Sequence, residues 1–397
     1  MSIDGSGVAG SVVSGGKAAP PAAAVPRPTW RARWLAWRDR RLLDHRFMRW
    51  AGRFPLTRPF ARRKAAQLFD LCAGFVYSQV LLACVRLQLF EQLTEGPLAL
   101  VPLAARLGLS PRAAATLLDA AVALELIERR DGGCYGLSVL GAAVLANPGL
   151  AAMIEHHRVL YGDLAEPERL LRGDDGPPAL SRFWTYAEHA DPAQLTPQQV
   201  AEYSTLMTAS QRLIADDILD AYPIQRHRCL LDVGGGEGNF VRAAAARAPD
   251  LRVLLFDLPA VSARAQIGIE QDGLATRAQA FGGDFKAAAL PAGADVVSLI
   301  RVAFDHSDET VLALLRAVHA ALPAGGTVLL AEPMADVTGA EAMGAAYFGF
   351  YLWAMKGGRP RSAAQLRGLL ESAGFQGVST HRTRMPLQIG LLSARRR

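Results

Sequence analysis

Cysteine is scarce in this chain and badly spaced for chemistry. The four, Cys72, Cys84, Cys134 and Cys229, stand far apart with no CxxC pair, which excludes the common zinc spacings and a secreted disulfide framework. A reducing, cytoplasmic setting is the expectation, with no metal site. Long apolar runs are missing too. No uninterrupted run reaches the roughly 18 to 20 residues that a spanning helix needs; the nearest, Ala73 to Val85, is interrupted by Tyr77, Ser78 and Gln79. The start of the chain also lacks the charged-then-apolar pattern of a signal peptide. These absences predict a soluble protein, attached at most to a surface.

What is present is uneven. At 397 residues, half of them hydrophobic, the chain has room for two domains and an unstructured end. Residues 1–29 are Gly, Ser, Ala, Val and Pro without periodicity and read as a disordered tail. Residues 30–64 form a basic arm, holding twelve Lys/Arg after position 30 against Asp39 and Asp44, so the net +6 of the chain belongs to this arm and the body is acidic. Four of the six tryptophans lie here, and Trp30, Trp34 and Trp37 recur at i, i+4 and i+7, on one helical face. Indoles favour the headgroup boundary and arginine favours anionic lipid, which fits a peripheral membrane helix. A surface helix docked on its own domain or on a partner subunit fits the same pattern.

Residues 65–150 read as helices followed by a hairpin, the order of a winged helix. Ala65 to Leu93 is one long helix or two, Leu100 to Leu107 is short, and Ser110-Pro111 supplies an N-cap and a first-turn proline for a helix to about Leu126. The hairpin spans Ile127 to Leu137. The helix after Pro111 carries Arg112 but otherwise Ala, Leu, Val and Thr with Asp119 and Glu125. Base readout needs several exposed Arg, Lys, Asn or Gln, so no nucleic acid is expected and a subunit contact is the better use of this face. Residues 151–224 read as a helical linker contributing to a substrate pocket. From 225 to 397 strands alternate with helices, which predicts an α/β domain with a mostly parallel sheet covered on both faces. Cys229 to Val233, Leu251 to Phe256, Asp295 to Ile300 and Gly326 to Ala331 are its strands, with an antiparallel edge around Leu387 to Leu392.

The first of these strands runs into Asp232-Val233-Gly234-Gly235-Gly236-Glu237-Gly238. A dinucleotide fingerprint would need its third glycine at Asn239, and a P-loop would need a GK[ST] that is absent. The cofactor that fits is S-adenosylmethionine (SAM). It has no phosphate to cradle, an ammonium that Asp232 would attract, and a methionine–ribose portion that glycines such as Gly234 and Gly236 allow close to the backbone. Asp257 ends the second strand about twenty residues on, where a carboxylate accepts both ribose hydroxyls. Gly282-Gly283-Asp284-Phe285 offers Asp284 to the adenine amine and Phe285 as a stacking ring.

From these segments, the winged-helix portion and Ile300-Arg301-Val302-Ala303-Phe304-Asp305-His306-Ser307-Asp308-Glu309, the chain resembles the small-molecule, SAM-dependent O-methyltransferases related to caffeate and hydroxyneurosporene methylation. The likeness covers roughly residues 65–390 and is strongest to the carotenoid branch, through Phe54 to Pro59, Leu68 to Gln79 and Ala346 to Tyr351. It implies a Rossmann-like class I methyltransferase sheet, an N-terminal, mainly helical winged-helix dimerisation domain, a homodimer, and methylation of a tertiary hydroxyl on an acyclic carotenoid of the spheroidene and spirilloxanthin series. Carried over by position, Gly234, Asp257, Asp284, Phe285 and Arg301 contact the cofactor and Met207 lies near the acceptor.

The chain departs from the family at the base. The family's HDWxDE motif has a histidine where this chain has Phe304 and a tryptophan where it has His306. Glu332 matches a carboxylate that orients the base in phenol-methylating members, and the second such position falls at Pro360. A phenol, with a pKa of about 10, is readily activated by a histidine, whereas a tertiary alcohol is not. For an alcohol, alignment to the methyl donor contributes most and the proton leaves late. His306, Glu332 and His157 are the candidate acceptors of that proton. Phe304, Phe350 and Tyr351 are candidates for lining an apolar polyene site. Two other readings fit the same residues: methylation of another apolar acceptor such as a chlorin or polyketide, and a SAM-liganded winged-helix DNA-binding regulator.

Overall fold

The computed structural model describes residues 29–397 except 175, 185–193, 197, 199–203, 205, 208–213, 338 and 385–388. The tail foreseen over 1–29 thus lies, but for Thr29, outside the described residues. The chain divides into two compact units between Val76 and Tyr77.

The first unit is helical. Trp30–Leu42 and His45–Arg53 each start at a side-chain cap, Thr29 accepting from the Ala32 amide and Asp44 from that of Arg46. Neither helix buries a residue. Trp30, Trp34 and Trp37 are all at least half exposed, with the guanidiniums of Arg38 and Arg41 lying 5.8 and 5.7 Å from the Trp34 and Trp37 rings. The boundary expected at 64/65 falls inside a continuous helix, Arg58–Arg86. That helix corrects the reading of apolar runs. An 18-residue window of it has a mean hydropathy of 1.8 and is only 11% buried, so by length and composition it suffices to cross a membrane. Tyr77, Ser78 and Gln79 break a run but scarcely lower an average. Leu68, Phe69, Leu71 and Phe75 are exposed along it, an apolar stripe of the kind that marks a contact surface.

In the second unit, Leu100–Arg106, Pro111–Ala123 and the hairpin β1 (Ile127–Arg130) and β2 (Cys134–Leu137) follow in the expected order. Ser110 Oγ accepts from the Ala113 amide, and Gly132 and Gly133 take positive φ to close the hairpin. Phe90, Leu103, Leu118, Ile127 and Tyr135 fill the core of this part.

The sheet comprises β3 (Cys229–Val233), β4 (Arg252–Asp257), β5 (Ala278–Gly282), β6 (Val296–Ile300), β7 (Thr327–Glu332), β8 (Phe375–His381) and β9 (Gly390–Arg396), in the order β5-β4-β3-β6-β7-β9-β8. The first five are parallel, and β9 runs antiparallel to both β7 and β8. Successive side chains point to opposite faces. Leu231, Val233 and Leu299 pack under Val311, Leu314, Leu366 and Leu370, while Leu230, Val253 and Leu255 pack under Phe240, Val241, Ala265 and Ile269. Of the antiparallel edge strand foreseen at 387–392, residues 387 and 388 lie outside the described residues and the last three fall in β9, which is the buried neighbour of the edge; the edge itself is β8, whose mostly exposed pattern carried no strand signal. Because chain order reverses on either side of β3, the crevice for a ligand opens at the carboxyl ends of β3, β4 and β6.

Candidate active site

The turn after β3 is held open by backbone geometry. Gly234, Gly236 and Gly238 have φ of +71°, +58° and +83°, and a Cβ on Gly234 would lie 2.6 Å from a Val302 methyl. Asp257, at the end of β4, accepts the Gly236 amide on one oxygen and the Leu258 amide on the other, both at 2.7 Å. These two lie in the wall of one cavity with Asp284, Phe285, Arg301 and His306. Burial lifts the Asp257 carboxyl to about 6 against the two amide hydrogen bonds. Phe285 and His306 meet edge to face, centroids 5.2 Å apart.

Asp232 is elsewhere. It is buried, accepts from Ser298 Oγ, and its other oxygen sits under Gly235, where a Cβ would approach to 2.6 Å. Burial raises its carboxyl to about 7. Asp232 is not among the cavity's lining residues and supports the turn from below.

A second cavity, lined by apolar and aromatic side chains, adjoins the first. Leu150, Met153, Phe304, Tyr347, Phe348 and Tyr351 stand in its wall, and Met207, Arg301 and Asp305 line both cavities. A group passing between the two therefore passes these three residues. Phe304 is buried edge-on to Phe348, centroids 6.0 Å apart. Of the aromatic run, Tyr347, Phe348 and Tyr351 face the cavity. Phe350, expected there, does not: it lines neither cavity and is 37% exposed.

The loop between the cavities is clamped from behind. Arg301 leaves β6 with φ of +56°, a conformation costly for a residue with a Cβ, while its amide donates to Ala331 O. Glu332 Oε1 accepts the Val302 and Ala303 amides at 3.1 and 2.7 Å. Arg361, 2% exposed, donates to the carbonyls of Ala303 and His306 at 2.7 and 2.6 Å and to Asp308 at 2.8 Å. Gly358 lies so near that a Cβ would fall 2.3 Å from the Phe304 and His306 carbonyl oxygens. Neither Arg361 nor Gly358 was singled out from sequence.

The proton-acceptor candidates are thereby redistributed. Glu332 lines neither cavity and works on backbone, with burial lifting its carboxyl to about 8. His306 stands in the first cavity beside Phe285 and does not line the second, and burial pushes its imidazole down to about 4. Both corrections have one cause: each side chain points to the cofactor side or the sheet, not into the second cavity. His157 reaches that cavity through Tyr347, whose hydroxyl lies 2.7 Å from its Nε2. Since Glu332 is largely protonated near neutrality, Glu332→Gln keeps an acceptor for both amides. Its kcat is expected within about threefold of the parent, against the 10²-fold or greater loss of a true general base; steady-state kinetics separate the two.

The Gly234–Gly238 cradle, the Asp257 carboxylate and the Asp284–Phe285 corner suit the amino-acid, ribose and adenine portions of SAM. A model of the O-methyltransferase domain matches residues 183–376 and one of the O-methyltransferase dimerisation domain matches residues 69–147. The chain belongs to the SAM-dependent O-methyltransferase family. Within it, the chain is 46% identical over 335 residues to the demethylspheroidene O-methyltransferase of Cereibacter sphaeroides, covering 84% of this chain and 88% of that one. It is 41% identical over 344 residues to the Rhodobacter capsulatus enzyme of the same name, covering 87% and 85%. The solved apo structure of the SAM-dependent methyltransferase SibL shares the fold with a TM-score of 0.71 at 26% identity, over 83% of this chain and 98% of that one.

SAM binding carries a pH signature. Only an ionised Asp257 would accept both ribose hydroxyls of SAM, and its raised pKa of about 6 means that the carboxylate is present above that pH and lost below it. Affinity measured by calorimetry is expected to fall about tenfold from pH 7 to pH 5; a flat profile would remove Asp257 from the contact.

Proposed function

We propose that this enzyme transfers a methyl group to a tertiary hydroxyl of an acyclic carotenoid, as a homodimer working at a membrane surface on the cytoplasmic side. The observation that carries the acceptor is Phe304 in an aromatic, apolar cavity joined to the cofactor cavity. A phenyl ring takes no proton, so the site is poorly equipped for phenols, and its wall suits a hydrocarbon chain. SAM supplies an electrophilic methyl group. The chain's residues then hold the hydroxyl in line with it at the Met207–Arg301–Asp305 junction and exclude water, the proton leaving after the new bond has largely formed. The names of the two carotenoid relatives support the same acceptor. Incubation with methyl-labelled SAM and a panel of hydroxylated carotenoids tests it by product mass: label on tertiary alcohols is expected, and label only on chlorins or polyketides would refute it.

The dimer reading rests on the dimerisation match and the exposed stripe of Leu68, Phe69, Leu71 and Phe75. The membrane reading rests on the exposed indoles and the arginines among them. Replacing Trp30, Trp34 and Trp37 together by Ala is expected to weaken partition into anionic vesicles at least about tenfold in flotation. Equal partition would remove the arm from membrane contact.

A further inference from the structure

Two tyrosines of the acceptor wall, four residues apart, each meet one of two consecutive histidines, and the pairs are built differently. Tyr351 Oη accepts from Trp184 Nε1 at 2.8 Å and lies 2.8 Å from His156 Nε2. Burial pushes His156 down to about 4, so it is neutral and its Nε2 can accept a hydrogen bond from the Tyr351 hydroxyl, which keeps its proton. With both partners fixed and both rings buried, this inner pair is a brace. Tyr347 lines the cavity with His157 behind it, and neither ring is fully buried. Burial also holds His157 below the ordinary imidazole value, which favours its neutral form. The Arg301 charge acts on the Tyr347 phenol, opposing the burial that lifts it to about 12. Tyr347 closes the π-helix Ala342–Tyr347, a rare geometry that recurs at functional sites.

We propose that Tyr347 is a catalytic residue and that His157 is its relay partner, together carrying the acceptor's hydroxyl proton from the cavity to solvent. As the hydroxyl oxygen bonds to the methyl carbon and the methyl–sulfur bond breaks, the oxygen becomes that of a protonated ether, far too acidic to retain its proton. That proton passes to Tyr347 Oη while the phenol's own proton passes to His157 Nε2, and the imidazolium releases one to water. Nothing is oxidised or reduced, and both side chains return to their starting states. The relay rests on the alcohol-methylation reading, because a phenol would lose its proton before attack.

The test is a double-mutant cycle on the full-length dimer with a tertiary-alcohol carotenoid. Tyr347→Phe and His157→Phe are each expected to lower kcat about 10²-fold with KM within threefold, and the double variant to be no slower than either, since both remove one path. In His157→Gly, imidazole added to the buffer is expected to restore at least a tenth of the lost rate. SAM affinity measured by calorimetry should stay within threefold throughout, which shows that the variants fold. Without substrates, the His157 imidazole resonance should shift in Tyr347→Phe. Multiplicative losses, kcat within threefold of the parent, failed rescue or an unmoved resonance would each overturn the relay. If the parent itself methylates no tertiary alcohol, the acceptor reading falls and takes the relay with it. A parent that does so while the variants keep pace overturns the relay alone.

Discussion

Asp257→Ala is expected to weaken SAM binding about 10³-fold while leaving the protein folded. A carboxylate at the end of β4 faces the cavity with both oxygens already oriented by amides at 2.7 Å. Hydrogen bonds to a charged group contribute about 1.5–3 kcal/mol each, so two to a ribose contribute about 3–6 kcal/mol. Part of the loss has a second origin. Without the carboxylate the Gly236 amide lacks its acceptor, and a turn with φ of +58° at that residue loses the contact that fixes it. Asp257→Asn separates the two, since the amide oxygen serves one donor while its NH2 opposes the other. An intermediate loss is expected. Calorimetry gives the affinity and circular dichroism the fold; a Kd within threefold of the parent for Asp257→Ala would remove the residue from the site.

Arg361→Met is expected to lower the melting temperature by about 5 °C or more and to damage both cavities at once. The guanidinium is 2% exposed and supplies the donors for the Ala303 and His306 carbonyls. A methionine fills much of the volume but leaves both carbonyls without that donor, at about 1–3 kcal/mol each, and a kcal/mol is worth about 1.5 °C in a unit as large as Tyr77–Arg397. Arg301, Phe304, Asp305 and His306 ride on the same loop, so SAM affinity and kcat should fall together. A melting temperature within 1 °C of the parent would show that Glu332 and Gly358 hold the loop without it.

The cofactor half of the site was legible because it is local. A turn, the end of the next strand and a GGDF corner each place backbone and side chain within a few residues, so Gly234, Gly236, Asp257, Asp284 and Phe285 lie together as the sequence indicated. Asp232 lies beneath the turn and not in the cavity wall, because spacing cannot tell which way a strand's last carboxylate points. The acceptor half depends on long-range pairs: Arg361 acts on a loop 55 residues earlier, and Tyr347 meets a histidine 190 residues away. Phe350 was named with Tyr351 as a lining residue, but a π-helix ends at Tyr347, immediately before the α-helix that carries Phe350, and an aromatic run in sequence does not show which of its rings face the cavity. The edge strands β5 and β8 escaped because an exposed edge lacks the apolar run of a buried strand.

The central claim is that this site methylates an aliphatic hydroxyl by alignment, with Phe304 standing where a base would serve a phenol. A competition tests it most directly. The enzyme, methyl-labelled SAM and equal concentrations of an acyclic tertiary-alcohol carotenoid and a catechol-type phenol are incubated together, and label is counted in each product. The account predicts label on the alcohol with the phenol at least about 10²-fold slower, the range a missing general base accounts for. Preferential labelling of the phenol would contradict it.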